Sequence, residues 1–345
     1  MILNILKVGI IGCGSIAQHR HLPEYEANPY VQIVAVCDSN KKRAKEIANN
    51  YGVNMYTDYN ELINCEELDA VSVCTPNHLH ASISIAALQA GIHVLCEKPM
   101  ATSKADAEMM IGAAEKSGKK LMIGHNQRFV ASHQKAKQLI KSGAIGKIYS
   151  FRTAFGHSGP ENWSVDGKES WFFKKEEAFL GAMGDLGVHK ADLIRYILNE
   201  EITEVGAFVE TSAKTFSNVD DCAVCILKSE SGIIGTLAAS WSYVSKEDNS
   251  TIIYGEKATL RLEDDPTNSL IIQYKNGEVV KYELNKIQSN ATVGQSNSHV
   301  IEQFVVSILS DKEPLINGVD GMKSLEVILA AIQSSETKQI VTIPL

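Results

Sequence analysis

The stretch Lys7-Val8-Gly9-Ile10-Ile11-Gly12-Cys13-Gly14-Ser15-Ile16-Ala17 decides the fold. An apolar run over 7–11 ends in two closely spaced glycines, and a helical pattern follows from Ile16 to Tyr30. A short apolar run that enters a glycine turn and then a helix predicts a buried parallel strand leading directly into that helix. The chain therefore opens with the first unit of an α/β domain.

The turn itself fits the pattern G-x-G-x-x-G/A over residues 12–17. Gly12 permits a tight turn, Gly14 lets the backbone approach a pyrophosphate, and Ala17 is small enough for close packing of helix on strand. The amides at the start of that helix would receive the phosphates. A glycine turn of any α/β protein can show this hexad, but its place after the first strand favours dinucleotide binding. The predicted contacts of this turn with the cofactor are Gly12, Gly14, Ser15 and Ile16.

An acidic residue ends the second apolar run, residues 31–37. Asp38 follows Gly14 by about 24 positions, where a carboxylate accepts hydrogen bonds from a ribose 2′-hydroxyl and repels a 2′-phosphate. This favours NAD over NADP. Two alternatives stay open: Asp38 caps the following turn, or Ser39, Lys42 and Arg43 hold a 2′-phosphate. Asp38, Ser39 and Arg43 are the predicted contacts at this end of the cofactor.

Strand and helix patterns continue to alternate up to residue 125. Helical patterns at 41–51, 79–89 and 103–116 alternate with apolar runs, and glycines follow each of them. Regular alternation of this kind produces parallel strands joined by crossover helices. We therefore predict a doubly wound Rossmann domain over 1–125.

The pattern changes near residue 145. Apolar and polar residues then alternate in several segments, and hairpin signals occur at 231–232, 255–256 and 276–277. Helical patterns at 183–198, 299–310 and 322–334 interrupt or follow these segments. We predict an α+β domain over 126–345 with a large open, mainly antiparallel sheet that helices cover on one face. The fold class is thus α/β plus α+β.

Composition limits the possible partners and compartments. The chain has 345 residues, 33 Lys+Arg and 41 Asp+Glu, for a formal net charge of -8. This acidic balance argues against a nucleic-acid binder or a polybasic membrane-surface protein. Seven cysteines scattered through apolar runs fit a reduced cytoplasmic protein better than a disulfide framework. We expect neither a nucleic acid nor a membrane as partner.

Two further segments carry side chains suited to proton transfer. Lys98 follows an apolar run, and open α/β sheets bind ligands at the carboxyl ends of their strands. Asp185 and His189 are four residues apart in a helical pattern, so they share a face. An imidazole has an ordinary pKa near 6.5, which suits a general base. Taken alone, the same residues fit a solvated surface lysine, a capping aspartate and a surface histidine equally well.

The segments Val73–His80 and Gly91–Ala101 resemble the glucose–fructose oxidoreductase / inositol dehydrogenase / rhizopine-catabolism (Gfo/Idh/MocA) family. The family signature is T-P-x-x-x-H followed by E-K-P, and here these are Thr75 to His80 and Glu97-Lys98-Pro99. The glycine fingerprint, the Asp185–His189 segment and the terminal Ile343-Pro344-Leu345 also match. The resemblance therefore spans most of the chain.

This resemblance implies catalytic roles for Lys98, Asp185 and His189, in an active site to which both domains contribute. His189 would take the proton of a substrate hydroxyl, Lys98 would bind that oxygen, and Asp185 would orient His189 or hold a neighbouring hydroxyl. A cis bond before Pro99 and a structural role for Asp192 are expected as well. The further cofactor contacts that the resemblance implies are Thr75, Pro76, Asn77, His80, Glu97, Lys98 and Gln127.

Some side chains have two possible roles. Arg128 follows Gln127 and is equally consistent with a structural ion pair. Trp163 and Trp171 would stack on a carbohydrate or serve as ordinary packing. Cys222 and Cys225 resemble a metal or redox pair, but residues three apart on a strand point to opposite faces, so no metal site is predicted. The predicted substrate-binding residues are Lys98, Trp163, Trp171, Asp185 and His189.

These features together predict an NAD-dependent oxidoreductase, similar to inositol dehydrogenases. It would transfer a hydride between nicotinamide and a secondary alcohol of a sugar, polyol or cyclitol. Two alternatives are an NAD-retaining glycosidase or aldose–aldose-type enzyme without net redox, and a non-catalytic NAD-binding sugar sensor. The resemblance also implies a homodimer or homotetramer formed through the C-terminal sheet.

Overall fold

The computed structural model of the chain describes residues 5–285 and 297–345. These residues form two compact units. The first contains 5–125, Trp163–Gly167 and 297–322, and the second contains Asn126–Asn162, 168–285 and Lys323–Leu345. Each unit is built on a sheet of its own.

The first unit contains a parallel sheet of six strands in the order β3-β2-β1-β4-β5-β6. With β1 at the centre and the strand order reversing beside it, this is the topology of dinucleotide-binding folds. The predicted Rossmann domain is confirmed. The strands are β1 Leu6–Ile11, β2 Val31–Cys37, β3 Asn54–Tyr56, β4 Ala70–Val73, β5 His93–Cys96 and β6 Leu121–Ile123.

The second unit contains a nine-stranded sheet in the order β14-β13-β12-β11-β7-β10-β9-β8-β15. Neighbouring strands are antiparallel except β7 and β10, which are parallel. The predicted mainly antiparallel sheet is confirmed. Its strands are β7 Ile148–Gly156, β8 Ile202–Glu210, β9 Cys222–Ser229, β10 Ile234–Ser240, β11 Thr251–Gly255, β12 Ala258–Leu262, β13 Leu270–Tyr274, β14 Val279–Tyr282 and β15 Val341–Thr342.

The α-helices pack on these sheets, and the one named α8 is buried along almost its whole length. None of the helices in the described part of the chain is long and apolar enough to cross a membrane. The helices are α1 Leu22–Glu26, α2 Lys41–Tyr51, α3 Tyr59–Cys65, α4 His80–Gln89, α5 Lys104–Ser117, α6 Ala131–Lys141, α7 Lys175–Ala178, α8 Val188–Leu198, α9 Val300–Leu309 and α10 Gly318–Thr337.

The ends of α2 and α5 follow directly from capping residues in the sequence. The Asn40 side chain accepts hydrogen bonds from the first-turn amides of α2, and Gly52 ends that helix with a φ of 66°. Ser103 caps α5 in the same way, and Gly118, also at a φ of 66°, ends it. A side-chain oxygen satisfies amides that have no partner within the helix, and glycine adopts the left-handed conformation without a steric penalty.

Two segments outside 1–125 belong to the first unit. The Ser15 hydroxyl donates a hydrogen bond to the Trp163 carbonyl oxygen at 3.0 Å and accepts one from the Val165 amide at 3.1 Å. At the edge of the sheet, the Ile123 amide donates to the Ile316 carbonyl oxygen at 3.0 Å. The two units are therefore not separated by a single boundary after residue 125. Hydrogen bonds between distant parts of the sequence connect both segments to the first unit.

Candidate active site

The glycine turn after β1 is fixed by a close backbone approach. Gly12 has a φ of +93°, and a Cβ at this position would lie 2.5 Å from the Cys74 carbonyl oxygen. A side chain would therefore separate the turn from β4. At Gly14, by contrast, no atom lies within 4 Å of an added Cβ. The backbone there borders open space, as the approach of a pyrophosphate requires.

Asp38 is held in a single orientation at the carboxyl end of β2. Its two carboxylate oxygens accept hydrogen bonds from the Cys13 amide at 2.9 Å and from the Asn40 amide at 2.8 Å. Asp38 therefore caps the following turn, as the alternative interpretation expected, and it also ties that turn to the glycine fingerprint. Ser39 lies exposed beside it.

The turn after β4 also has features that fit a dinucleotide. Among the described residues no hydrogen-bond partner is found for the buried Thr75 Oγ1, so this hydroxyl is available to a ligand. Pro76 precedes a single 3₁₀ turn over Asn77–Leu79, in which Asn77 is buried. Together with the open space at Gly14 and the fixed Asp38 carboxylate, the residues present fit the predicted cofactor.

His80 lies between two main-chain carbonyl groups. Its Nδ1 lies 2.8 Å from the Pro99 carbonyl oxygen and its Nε2 lies 2.8 Å from the Thr75 carbonyl oxygen. The side chain is 1% exposed, and burial lowers its pKa despite both carbonyl contacts. A neutral imidazole has a single N–H, so it donates a hydrogen bond to one of these carbonyls and only contacts the other. His80 thus lies between the Thr75 turn and the Lys98–Pro99 segment, whose peptide bond is cis.

Glu97 lies in a buried ionic cluster. Its Oε1 lies 2.9 Å from His21 Nε2 and 3.4 Å from Arg20 Nη1. Burial alone would raise the pKa of Glu97, but His21, Arg20 and Lys98 together lower it to about 2. A Cβ on Gly124 would lie 3.1 Å from the carboxylate, so a side chain there would have to displace Glu97 slightly. Glu97 is 5% exposed, and its carboxylate is used on neighbouring side chains and the Lys98 amide.

Lys98 follows this cluster at the carboxyl end of β5. Its main-chain amide donates a hydrogen bond to Glu97 Oε2 at 3.3 Å, and its side chain is half-buried. The buried carboxylate therefore fixes the backbone from which the Lys98 ammonium extends. Arg20 and His21, which make this possible, come from the helix that the glycine fingerprint opens.

In the second unit, Asp185 lies in a π-helical turn that leads into α8, and His189 lies in the first turn of α8. The turn covers Met183–Gly187, and both side chains are more than nine-tenths buried. A similar π-turn, Ala17–His21, follows the glycine fingerprint. π-turns are rare overall, but those that occur are often found at functional sites. Both turns are therefore candidate parts of a functional site.

Two aromatic residues surround this pair. The fully buried Trp241 indole donates a hydrogen bond to Asp185 Oδ2 at 3.1 Å. The Phe155 ring lies 5.8 Å from the His189 ring, centroid to centroid. The Asp185 carboxylate and the His189 imidazole thus each lie beside an aromatic side chain, with little exposure to water.

Asp220, which the sequence analysis did not identify, anchors the start of this helical segment. Its carboxylate accepts hydrogen bonds from the Gly181 and Met183 amides at 2.7 Å each, and its carbonyl oxygen accepts one from the Ala182 amide at 2.9 Å. Burial raises the pKa of Asp220 to about 6, although the two amides oppose this. Three successive amides ahead of Asp185 are therefore held by one residue.

The other predicted residues contact the protein itself in the following ways. Arg128 makes a two-bonded ion pair with the buried Asp192, at 2.8 and 2.7 Å, so this arginine has a structural partner. Gln127 is buried and its Nε2 donates to Asn249 Oδ1 at 3.1 Å. Trp171, in the second unit, stacks on Phe172 at 3.9 Å, whereas Trp163 lies in the first unit.

Comparison with known proteins agrees with this architecture. Residues 6–125 match the profile described as an oxidoreductase family with an NAD-binding Rossmann fold, and 133–261 match a GFO/IDH/MocA C-terminal domain. Levoglucosan dehydrogenase of Pseudarthrobacter phenanthrenivorans is 35% identical over 60% of this chain and 54% of that protein. Myo-inositol 2-dehydrogenase of Thermotoga maritima is 27% identical over 97% of this chain and 98% of that protein.

Solved structures agree as well. A levoglucosan dehydrogenase in complex with NADH and L-sorbose superimposes with a TM-score of 0.87 at 25% identity and covers 99% of both chains. The likeness extends over both units and not only over the Rossmann sheet.

The ionic cluster predicts the acid sensitivity of the fold. Glu97 has a pKa of about 2 in the folded chain against an ordinary value of 4.5, so its ionised form stabilises the fold above pH 4.5. This contribution is lost as the pH falls from 4.5 toward 2. Between pH 4.5 and pH 2 the free energy of unfolding, measured in urea, should fall in both proteins. We expect this fall to be smaller in Glu97→Gln than in the parent by on the order of 3 kcal/mol. The exposed Glu313→Gln serves as control, and equal losses for Glu97→Gln and the parent would refute the assignment.

The Asp220 anchor predicts a local effect on the helical segment. In Asp220→Asn one acceptor oxygen becomes a donor that faces a main-chain amide, which costs about 2 kcal/mol. We expect faster hydrogen exchange of the amides at 181–189, measured by mass spectrometry. Asp221→Asn is the matched control, because the equally buried Asp221 carboxylate binds the amides of 212–214 instead. Unchanged exchange at 181–189 in Asp220→Asn would contradict the anchor.

Proposed function

This chain belongs to the Gfo/Idh/MocA oxidoreductase family, and we propose that it oxidises a secondary alcohol of a sugar, polyol or cyclitol with NAD, using Lys98, Asp185 and His189. The observation that carries the proposal is that Asp185 and His189, four residues apart in one helical segment, are both buried beside aromatic side chains, with Trp241 donating to one carboxylate oxygen. The glycine turn with its fixed Asp38 supports NAD as the cofactor.

The proposed roles follow from the chemistry of each side chain. His189 accepts the proton of the substrate hydroxyl, since a neutral imidazole is a suitable base near neutral pH. Lys98 donates a hydrogen bond to the same oxygen and stabilises the negative charge that develops there. Asp185 orients His189 or holds a neighbouring hydroxyl. When bound, the nicotinamide supplies the hydride acceptor or donor, and that chemistry belongs to the cofactor.

An assembly through the sheet of the second unit is part of the proposal. Along β9, Ala223, Cys225 and Leu227 are buried, whereas Val224 and Ile226 on the opposite face are 50% and 59% exposed. Phe208 pairs with Val224 from β8, and Ile234 extends the same face from β10. Contiguous exposed apolar side chains of this kind mark interaction surfaces. We propose a second copy of the chain as the occupant, in a homodimer or homotetramer.

A reducing, cytoplasmic location completes the proposal. All seven cysteines are free, and Cys13, Cys37, Cys74, Cys96 and Cys225 are buried. Buried thiols that form no disulfides fit a reducing compartment, in which they pack as small apolar side chains.

The catalytic assignment is tested by paired substitutions. We expect Lys98→Ala and His189→Ala each to lower turnover by a factor of about 100 or more, while NADH binding is retained, because each removes a group that acts on the substrate oxygen. Turnover is measured as NADH formation across a panel of inositols and sugars. Lys116→Ala and His299→Ala, both outside the site, are the controls.

Three results of this assay would contradict the proposal. Full activity in either catalytic variant would remove the assigned roles. A retained cofactor with substrate conversion but no net NADH would favour an enzyme without net redox. NADH binding with no turnover of any compound in the panel would favour a sugar-sensing regulator.

The sheet surface makes a separate prediction about assembly. Ile226→Glu places a charge at the centre of the exposed apolar face, so we expect it to shift the protein to monomer in size-exclusion chromatography with light scattering. Val244→Glu is the matched control, because Val244 is 92% exposed and lies outside the sheet. The surface is not the interface if Ile226→Glu leaves the molar mass unchanged.

A further inference from the structure

The segment Trp163–Gly167, here called the return segment, belongs to the first unit and contacts Ser15 and Arg43, two of the predicted cofactor residues. Ser15, within the glycine fingerprint, donates its hydroxyl proton to the Trp163 carbonyl oxygen and accepts a hydrogen bond from the Val165 amide. These two bonds attach the return segment to the glycine turn.

The same segment brings a second carboxylate to the end of β2. Arg43 Nη2 lies 2.5 Å from Asp166 Oδ1, and Arg43 Nη1 lies 3.6 Å from Asp38 Oδ2. The guanidinium is thus placed between two carboxylates. The Arg43 backbone is fixed as well, since its amide donates to the capping Asn40 side chain at 3.2 Å.

Arg43 is important because it is a cation next to Asp38. An arginine in this region is what an NADP-binding site uses to accept the 2′-phosphate. To do so here, Arg43 would have to leave Asp166, and the phosphate would approach two carboxylates balanced by one guanidinium. The NAD ribose carries no such charge and needs only an acceptor for its hydroxyl, which Asp38 provides.

We propose that Asp166 is a specificity-determining residue that sets the preference for NAD over NADP by holding Arg43 in its ion pair. This inference rests on the proposed function, in that it assumes a dinucleotide bound along the glycine turn. Asp166 acts through Arg43 and through its own charge. The Arg43 and Asp166 side chains are partly exposed, at 20% and 39%, so their ion pair contributes little to folding stability. We therefore expect its loss to change nucleotide binding rather than the stability of the fold.

The test is a comparison of NADH and NADPH affinity by fluorescence titration of the full chain, which needs no substrate. We expect Asp166→Asn to tighten NADPH binding about fivefold to tenfold relative to NADH, because it releases Arg43 and removes one negative charge. In the Arg43→Ala background we expect most of this gain to disappear. Glu67→Gln, which removes another exposed carboxylate paired with Lys7 in the same unit, is the matched control.

Each outcome decides between specific alternatives. A change of less than twofold in the NADH to NADPH ratio of Asp166→Asn overturns the proposal. An equal gain with and without Arg43 overturns the part assigned to Arg43. If Asp166→Asn weakens the binding of NADH and NADPH equally, the return segment contacts the cofactor without discriminating between the two, and the proposal is overturned. If the parent chain binds neither nucleotide, the proposed function itself fails, which the other outcomes do not imply.

Discussion

One buried carboxylate holds together the parts of the first unit that carry its chemistry. Glu97 lies against Arg20 and His21 from the helix of the glycine fingerprint, and His21 Nδ1 in turn lies 3.0 Å from the Ser72 hydroxyl in β4. A buried charge is tolerated only when it is paired and hydrogen-bonded, so all of these groups must be in place together. The backbone of Lys98 is fixed as a consequence, since its amide also binds Glu97.

In the second unit, buried carboxylates are likewise held by hydrogen bonds. Asp220 binds three successive amides ahead of Asp185, and the Trp241 indole binds the Asp185 carboxylate itself. The small residues in this segment are required by the same packing. A Cβ on Gly181 would lie 1.8 Å from the Asp220 carbonyl oxygen, and one on Gly184 would lie 2.6 Å from the Leu180 side chain.

Much of the fold could be predicted because its signals are local. The exact span of α2 follows from Asn40, Gly52 and the helical pattern between them. By contrast, β3 has three residues and α3 has seven, which is too short for a hydrophobic period to be recognised in the sequence. The internal contacts of His80 and Glu97 were not predicted, because the sequence does not show which polar groups meet in the folded chain.

The sequence alone determined the two fold classes and the dinucleotide turn, because each depends on residues within one turn or one period of the chain. It predicted Lys98, Asp185 and His189 as acid–base residues only through the family resemblance of the segments around them. Only the tertiary structure decided which other side chains hold those residues in place. Asp220 acts 35 positions from Asp185 in the sequence, and Asp166 pairs with Arg43 across 123 positions. Hydrogen bonds and ion pairs form between groups that are close in space, and only the folded chain specifies which distant groups those are.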